Sequence, residues 1–270
     1  MPHLDPTWQV AALTTAALLL LAAVLRLLHR PWPAAAATEA TLVAGLYTAW
    51  QLIGTATHRN VAGATANALS VWHVEQALHL PSELALQQAV TPHPWLVQLA
   101  NGYYLYGHFN PVGLLLVWVF VRHRPAYARV RLLLCLLTAS AFLVHFVPVA
   151  PPRLVPQLGF RDVALEYGQS VYGSFGAGIP GQLLAMPSLH VGWAILLAYV
   201  VVTTSRSRWR WLVLAHPVLM SVDVAVTANH WWLDGVVCGG LLVLCVAAER
   251  GGARLLAAIR VPAALEPVAA

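Results

Sequence analysis

Residues 186–202 read MPSLHVGWAILLAYVVV. A Pro-Ser pair opens the stretch, a histidine follows two residues later, and the chain then runs apolar. Proline and serine are helix-starting residues, because serine caps free amides and proline lacks the N–H that the first turn cannot use. His190 therefore stands where a helix enters an apolar phase. What that titratable side chain works with decides how the rest of the chain is read.

The surrounding sequence has the same character. Of 270 residues, 59% are hydrophobic and 9% charged, where a soluble domain carries about a quarter charged residues. Apolar segments near 20 residues recur, the length that crosses a bilayer as a helix. Seven spans are predicted, at roughly 9–28, 40–57, 103–121, 130–148, 188–204, 209–228 and 231–248. The expected fold is an all-α polytopic transmembrane helix bundle of about 6–7 spans, a single membrane domain over 1–270 with its catalytic helix core at 130–250. MPHLDP has no basic n-region, and Arg26 and Arg30 follow the first span, the wrong charge order for a cleaved signal peptide. Cys135, Cys238 and Cys245 all fall inside spans, and an odd number without CxxC spacing argues for packing over a disulfide framework or a zinc site. All fifteen basic residues are arginine, which with the abundant Ala, Leu and Val suggests a GC-rich bacterial genome. The net charge of +5 lies in short loops and calls for no nucleic-acid partner.

Those arginines give an orientation. Arg26, Arg30, Arg122, Arg124, Arg129, Arg131, Arg206, Arg208, Arg210, Arg250, Arg254 and Arg260 fall on one side of a seven-span chain, and only Arg59, Arg153 and Arg161 on the other. The positive-inside rule makes the first side cytoplasmic, in a plasma (cell inner) membrane. The two long loops are then extracytoplasmic. Residues 58–102 form an interfacial segment with two expected surface helices, ALSVWHVEQALHL and PSELALQQAV, the second opening on Ser82 as a cap. Residues 149–187 start with APPRL and end in the glycine-rich GQSVYGSFGAGIPG, either a mobile lid or a plain loop.

Four polar groups reach that outer face. His190 opens span 5, Arg153 follows span 4, and TANHWWLDGVV sets His230 and Asp234 four residues apart at the start of span 7. On a helix that spacing puts both on one side, a turn apart. A lone interfacial histidine is usually only solvated, and Arg153 could be an anchor. Asp234 is harder to dismiss, because an acid inside an apolar helix is costly and needs a partner. The chemistry that fits is nucleophilic phosphoryl transfer. An Asp accepting one ring N–H leaves the other nitrogen free to attack, a second histidine protonates the leaving oxygen, and an arginine presents a fork of donors to phosphate. Amides near Ser188, at a helix start, could hold an anion. The scheme needs no metal and no cofactor.

PSLH (187–190) followed by HWWLD (230–234) resembles the second and third signature motifs of the type-2 phosphatidic acid phosphatase superfamily. The resemblance implies a phosphohistidine on His230 as nucleophile, oriented by Asp234, with His190 as general acid. PPRL (151–154) would correspond to the first motif, with Arg153 binding phosphate. The motifs cover roughly residues 145–235. Each of the three motifs departs from the usual pattern. Phe146 stands where a lysine is usual, Asp223-Val224 where Ser-Arg is usual, and PSLH replaces PSGH. This pattern is more similar to the inositol phosphorylceramide synthase branch, as are EQALHLPSE (75–83) and NGYYLYGHF (101–109). With two phosphate-binding cations missing, Ser188, Tyr104 and His108 are candidate substrate-binding residues beside Arg153. A phosphodiester, with one charge rather than two, would suit the site better.

The implied substrate is a lipid phosphate or phospholipid, drawn from membrane lipids. Water as acceptor makes the protein a lipid phosphatase, and an alcohol makes it a phosphotransferase of the inositolphosphotransferase-like kind. The rival from another class is a non-enzymatic membrane protein, a transporter or haem-binding subunit. Asp223 is expected either to reach the site or to pair with His216; His145 and His216 are expected to pack or bridge. Trp231 and Trp232 are interface anchors or walls of the pocket, and Glu75 and Glu83 are structural caps on the surface helices or head-group ligands.

Overall fold

The computed structural model describes residues 7–57, 60–170 and 181–260. Ten α-helices follow one another among these described residues: α1 (Thr7–Leu27), α2 (Pro31–Thr57), α3 (Val61–Ala77), α4 (Glu83–Val90), α5 (Pro94–Arg122), α6 (Arg124–Val144), α7 (Val163–Glu166), α8 (Leu189–Thr204), α9 (Ala215–Val226) and α10 (Trp232–Arg260). Short 3-10 turns cover Pro152–Leu154, Pro156–Leu158 and Arg208–Leu214. Among the described residues there is no strand, only an isolated bridge between Val149 and Leu184. The all-α bundle expected from the sequence is the observed fold.

Among the described residues, five helical stretches are long and apolar enough to cross a membrane: Trp8–Leu27, Pro94–Arg122, Arg124–Val144, Arg208–Val226 and Trp232–Arg254. The third predicted span starts earlier than its apolar core, because Pro94 occupies the first turn and α5 continues from there through the polar NGYYLYGH segment. The fourth ends at His145 rather than 148, where the chain leaves the helix toward APPRL. The two expected surface helices are α3 and α4, and the Ser82 side chain accepts from the Ala85 amide as the cap of α4.

Leucines and valines such as Leu20, Leu114, Leu143 and Val243 face outward, as the lipid-facing surface of a bundle requires. Inside, Leu115, Val119, Leu133, Leu137, Leu196, Cys238 and Leu242 from α5, α6, α8 and α10 form one buried cluster. Lipid is as apolar as leucine, so close packing rather than water exclusion holds such helices together, and small residues let them approach. Gly192 is such a residue: a Cβ built on it would lie 2.1 Å from Cys238 Sγ. Gly235 repeats the device one turn into α10, where a Cβ would meet Val191 Cγ1 at 3.0 Å.

The bundle has two chemically distinct ends. At one, Arg129 Nε donates to Glu249 Oε2 at 3.0 Å, and Arg129 and Arg250 both donate to the Tyr199 hydroxyl. At the other, a second buried cluster joins Ala64 and Ala68 of α3 to Val149, Ala150, Val155, Phe160, Leu183 and Trp231. This second end carries the polar residues singled out above.

Candidate active site

The segment that carries His230 is a turn between α9 and α10. Ala228 takes the left-handed conformation (φ 55°) where a glycine is usual, so the chain reverses at once. The amides of Asn229 and His230 both reach back to the Val224 carbonyl, at 2.9 and 3.2 Å. The Asp234 carboxylate then accepts from the Trp231 amide at 2.9 Å, the reciprocal half of a capping box. Sequence spacing thus makes Asp234 both the cap of its own helix and a neighbour of His230.

His230 is buried, and its Nδ1 has two acceptors. The Ala185 carbonyl lies 2.8 Å away and Asp234 Oδ2 3.3 Å away. A backbone carbonyl only accepts, so Nδ1 carries a proton, and in the neutral imidazole Nε2 is the nitrogen with the free lone pair. Ala185 is placed by a local pairing: Val149 N donates to Leu183 O and Ala185 N to Val149 O. Sequence reasoning missed Ala185, since a backbone carbonyl leaves no trace in residue type.

His190 stands in the first turn of α8. Its ring centroid is 5.5 Å from that of His230. Tyr104 stacks on it at 4.2 Å and His108 at 4.0 Å, and His108 stacks in turn on Trp193 at 4.4 Å. Tyr104 and His108 are both buried, and both rings lie nearly parallel to His190, holding it face to face in an aromatic stack. Ser188 is fully buried, its hydroxyl accepting from the Val191 amide and its own amide donating to the Asp234 carbonyl at 3.0 Å. The hydroxyl is thereby engaged as a helix cap, and what the turn offers an anion is the pair of following amides, which have no intrahelical acceptor. His145 bridges to the Pro187 carbonyl at 3.3 Å.

Arg153 is the one buried arginine among the described residues. Its Nε donates to Asn229 Oδ1 at 2.9 Å, its Nη1 to Gln182 Oε1 at 3.3 Å, and Asp162 Oδ2 lies 3.9 Å away. Its backbone amide donates to Ala228 O. Arg153 is therefore tied to the residue immediately before His230. Asn229 was also missed in the sequence, although an amide side chain adjoining the histidine in TANH was the available signal.

Other expectations need correction. His216 does not pair with Asp223: its Nδ1 shares a hydrogen bond with the Tyr103 hydroxyl at 2.7 Å. Asp223 Oδ2 is buried with no hydrogen-bond partner among the described residues. Trp231 is core rather than pocket wall, with Nε1 donating to the Ala150 carbonyl and its ring edge-on to Phe160. Trp232 Nε1 donates to Pro81 O. Glu75 and Glu83 cap neither of the surface helices that carry them; their Oε1 atoms accept from the amides of Leu233 at 2.8 Å and Trp232 at 3.3 Å. Phe146 is 58% exposed. Of the glycine-rich segment, residues 171–180 lie outside the described residues, and with them the expectation of a lid.

The arrangement is two neighbouring imidazoles, one with a fixed tautomer, beside one arginine and a helix start, at one end of a membrane bundle. A family model for the PAP2 superfamily matches residues 69–249. No curated protein and no solved structure gives a match. The family match takes in all of these side chains and about two thirds of the sequence, and the chain belongs to the PAP2 superfamily.

Proposed function

We propose that the protein is a lipid phosphoester-transfer enzyme working through a phosphohistidine on His230. The observation that supports this most is the pair of acceptors on His230 Nδ1, Ala185 O and Asp234 Oδ2, which leaves Nε2 as the nucleophilic nitrogen beside the His190 ring. In the first step the Nε2 lone pair attacks phosphorus, the bond from phosphorus to the leaving oxygen breaks, and that oxygen takes a proton from His190. Arg153 and the amides at the start of α8 hold the phosphoryl oxygens. In the second step water or an alcohol attacks phosphorus while His190 takes its proton, and the N–P bond breaks to regenerate His230.

The acceptor we favour is an alcohol, so that a phospholipid head group is transferred, as in the inositol phosphorylceramide synthase branch that the motifs resemble. The supporting observation is the scarcity of positive charge: Arg153 is the one buried arginine among the described residues, and an exposed phenylalanine stands at 146. A phosphodiester monoanion needs less neutralisation than a phosphomonoester dianion. By the positive-inside rule, the arginine-rich opposite end of the bundle supports a site on the extracytoplasmic face of the plasma membrane.

Detergent-purified protein offered lipid phosphomonoesters, isoprenoid diphosphates and inositol phospholipids tests this, with free phosphate and new lipids measured side by side. A new head-grouped lipid that His230→Ala abolishes supports transfer. Phosphate release that the variant loses supports hydrolysis instead. Equal traces in wild type and variant would sink the phosphohistidine reading and favour a non-enzymatic role.

A further inference from the structure

The scheme above leaves Glu75 and Glu83 without a task, yet both are buried, at 1% and 2% exposure. Burying a carboxylate is costly unless it is partnered. Their partners lie about 150 residues away in the sequence, on the helix that carries Asp234. Three successive amides at the start of α10 each meet one carboxylate: Trp231 meets Asp234, Trp232 meets Glu83, and Leu233 meets Glu75. Gln87, one turn beyond Glu83 on α4, donates to the Val226 carbonyl at the end of α9. The α3–α4 segment therefore grips both sides of the turn that presents His230.

Capping alone would not need two buried acids. The N-terminus of a helix carries roughly half a positive charge, and three carboxylates exceed it. Glu75 Oε2 is buried and has no donor among the described residues, which a proton held between the two glutamates would supply. We propose that Glu75 and Glu83 are positioning residues, a carboxyl pair sharing one proton that holds the first turn of α10, and through it Asp234 and His230, in the reactive arrangement. The inference rests on the reading of His230 as nucleophile. Burial, with Glu83 next, pushes Glu75 up to about 9, so the pair keeps its proton at neutral pH. The charged groups bearing on Glu75 are Glu83 at the start of α4 and Asp234 on α10.

Two variants separate proton sharing from simple packing. Glu75→Gln keeps an acceptor for the Leu233 amide and gives Glu83 a permanent donor, so it should rescue function. Glu75→Leu removes both. At neutral pH, Glu75→Leu is expected to lower kcat by ~100-fold with KM nearly unchanged, the effect of a small misplacement of reacting groups; Glu75→Gln is expected to stay within about threefold of wild type. Turnover also follows the protonation of His190, so pH dependence is read on the imidazole instead. Nitrogen NMR of isotope-labelled histidine, with His230 assigned by its loss in His230→Asn, should show the Nδ1–H of His230 held in wild type until pH passes about 9. In Glu75→Gln it should persist beyond that pH, and in Glu75→Leu it should already be lost at neutral pH.

A Glu75→Leu protein with wild-type kcat and an intact Nδ1–H signal would overturn the proposal. So would a Glu75→Gln protein whose signal is lost at the same pH as wild type. If Glu75→Leu does not fold, the comparison of Glu75→Gln with wild type decides alone. If wild type turns over none of the lipids, the nucleophile reading fails, while the imidazole signals still decide whether the glutamates position His230.

Discussion

His230 Nδ1 is 2.8 Å from the carbonyl oxygen of Ala185 and 3.3 Å from Asp234 Oδ2, so the backbone holds the imidazole more closely than the acid does. The tautomer therefore does not depend on the carboxylate alone. Asp234→Asn is expected to lower kcat by about 10–100-fold, short of the ~10⁴-fold loss found where an acid alone fixes the tautomer. His230→Ala should leave no turnover above background. Steady-state kinetics of both variants check this; equal losses would show that Asp234 does more than hold the ring.

Arg153 is fastened to Asn229 by its Nε, which fixes the guanidinium plane next to the His230 turn. Lysine offers no planar fork. Arg153→Lys should reduce kcat/KM by about 10²–10³-fold, the scale of losing a transition-state oxyanion donor. Asn229→Ala leaves the charge but frees its direction, and a loss of about tenfold is expected. Because both act through one guanidinium, adding Asn229→Ala to Arg153→Lys should cost little more. Fully additive losses in the double variant would separate the two residues.

What could be read from the sequence follows from what each feature depends on. The bundle rests on long apolar runs, and α1 and α8 stand within two residues of their predicted bounds. His190, His230, Asp234 and Arg153 were legible because a polar side chain at the edge of an apolar helix demands a reason. Ser188 was legible as a helix cap, whereas Ala185 acts through its backbone carbonyl, which residue identity does not encode. Glu75 and Glu83 were misread because their local context, two amphipathic surface helices, suggested local capping; their partners on α10 exist only in the tertiary fold.

Gly192 makes the contact between α8 and α10 sterically exact enough to test. A Cβ there would meet Cys238 Sγ at 2.1 Å and its Cβ at 3.2 Å. Gly192→Ala must push α8 away from α10, two residues from His190. Overpacking of this kind costs about 1–3 kcal/mol, so both the melting temperature and kcat should fall. Adding Cys238→Ala removes the sulfur and should recover most of both. A double variant as impaired as the single one would show that the clash is not the cause.

Glu75 also predicts how stability depends on pH. Its carboxyl lies outside the membrane-spanning helices, and it is raised from 4.5 to about 9, first by burial and next by the Glu83 side chain. Below about 4.5 the group is protonated in both folded and unfolded protein and contributes no pH dependence. Between about 4.5 and about 9 the folded state keeps the proton and the unfolded state has lost it. The folded state then binds more protons, so stability must fall as pH rises through that window and level off above it. Glu75→Gln cannot titrate and should flatten this part of the profile. Melting curves of wild type and Glu75→Gln in detergent, taken in parallel across the window, check the sign. A wild-type melting temperature that rises with pH relative to that of Glu75→Gln would mean that Glu75 is an ordinary ionised carboxylate in the folded protein, and the proton it is taken to share with Glu83 would not exist.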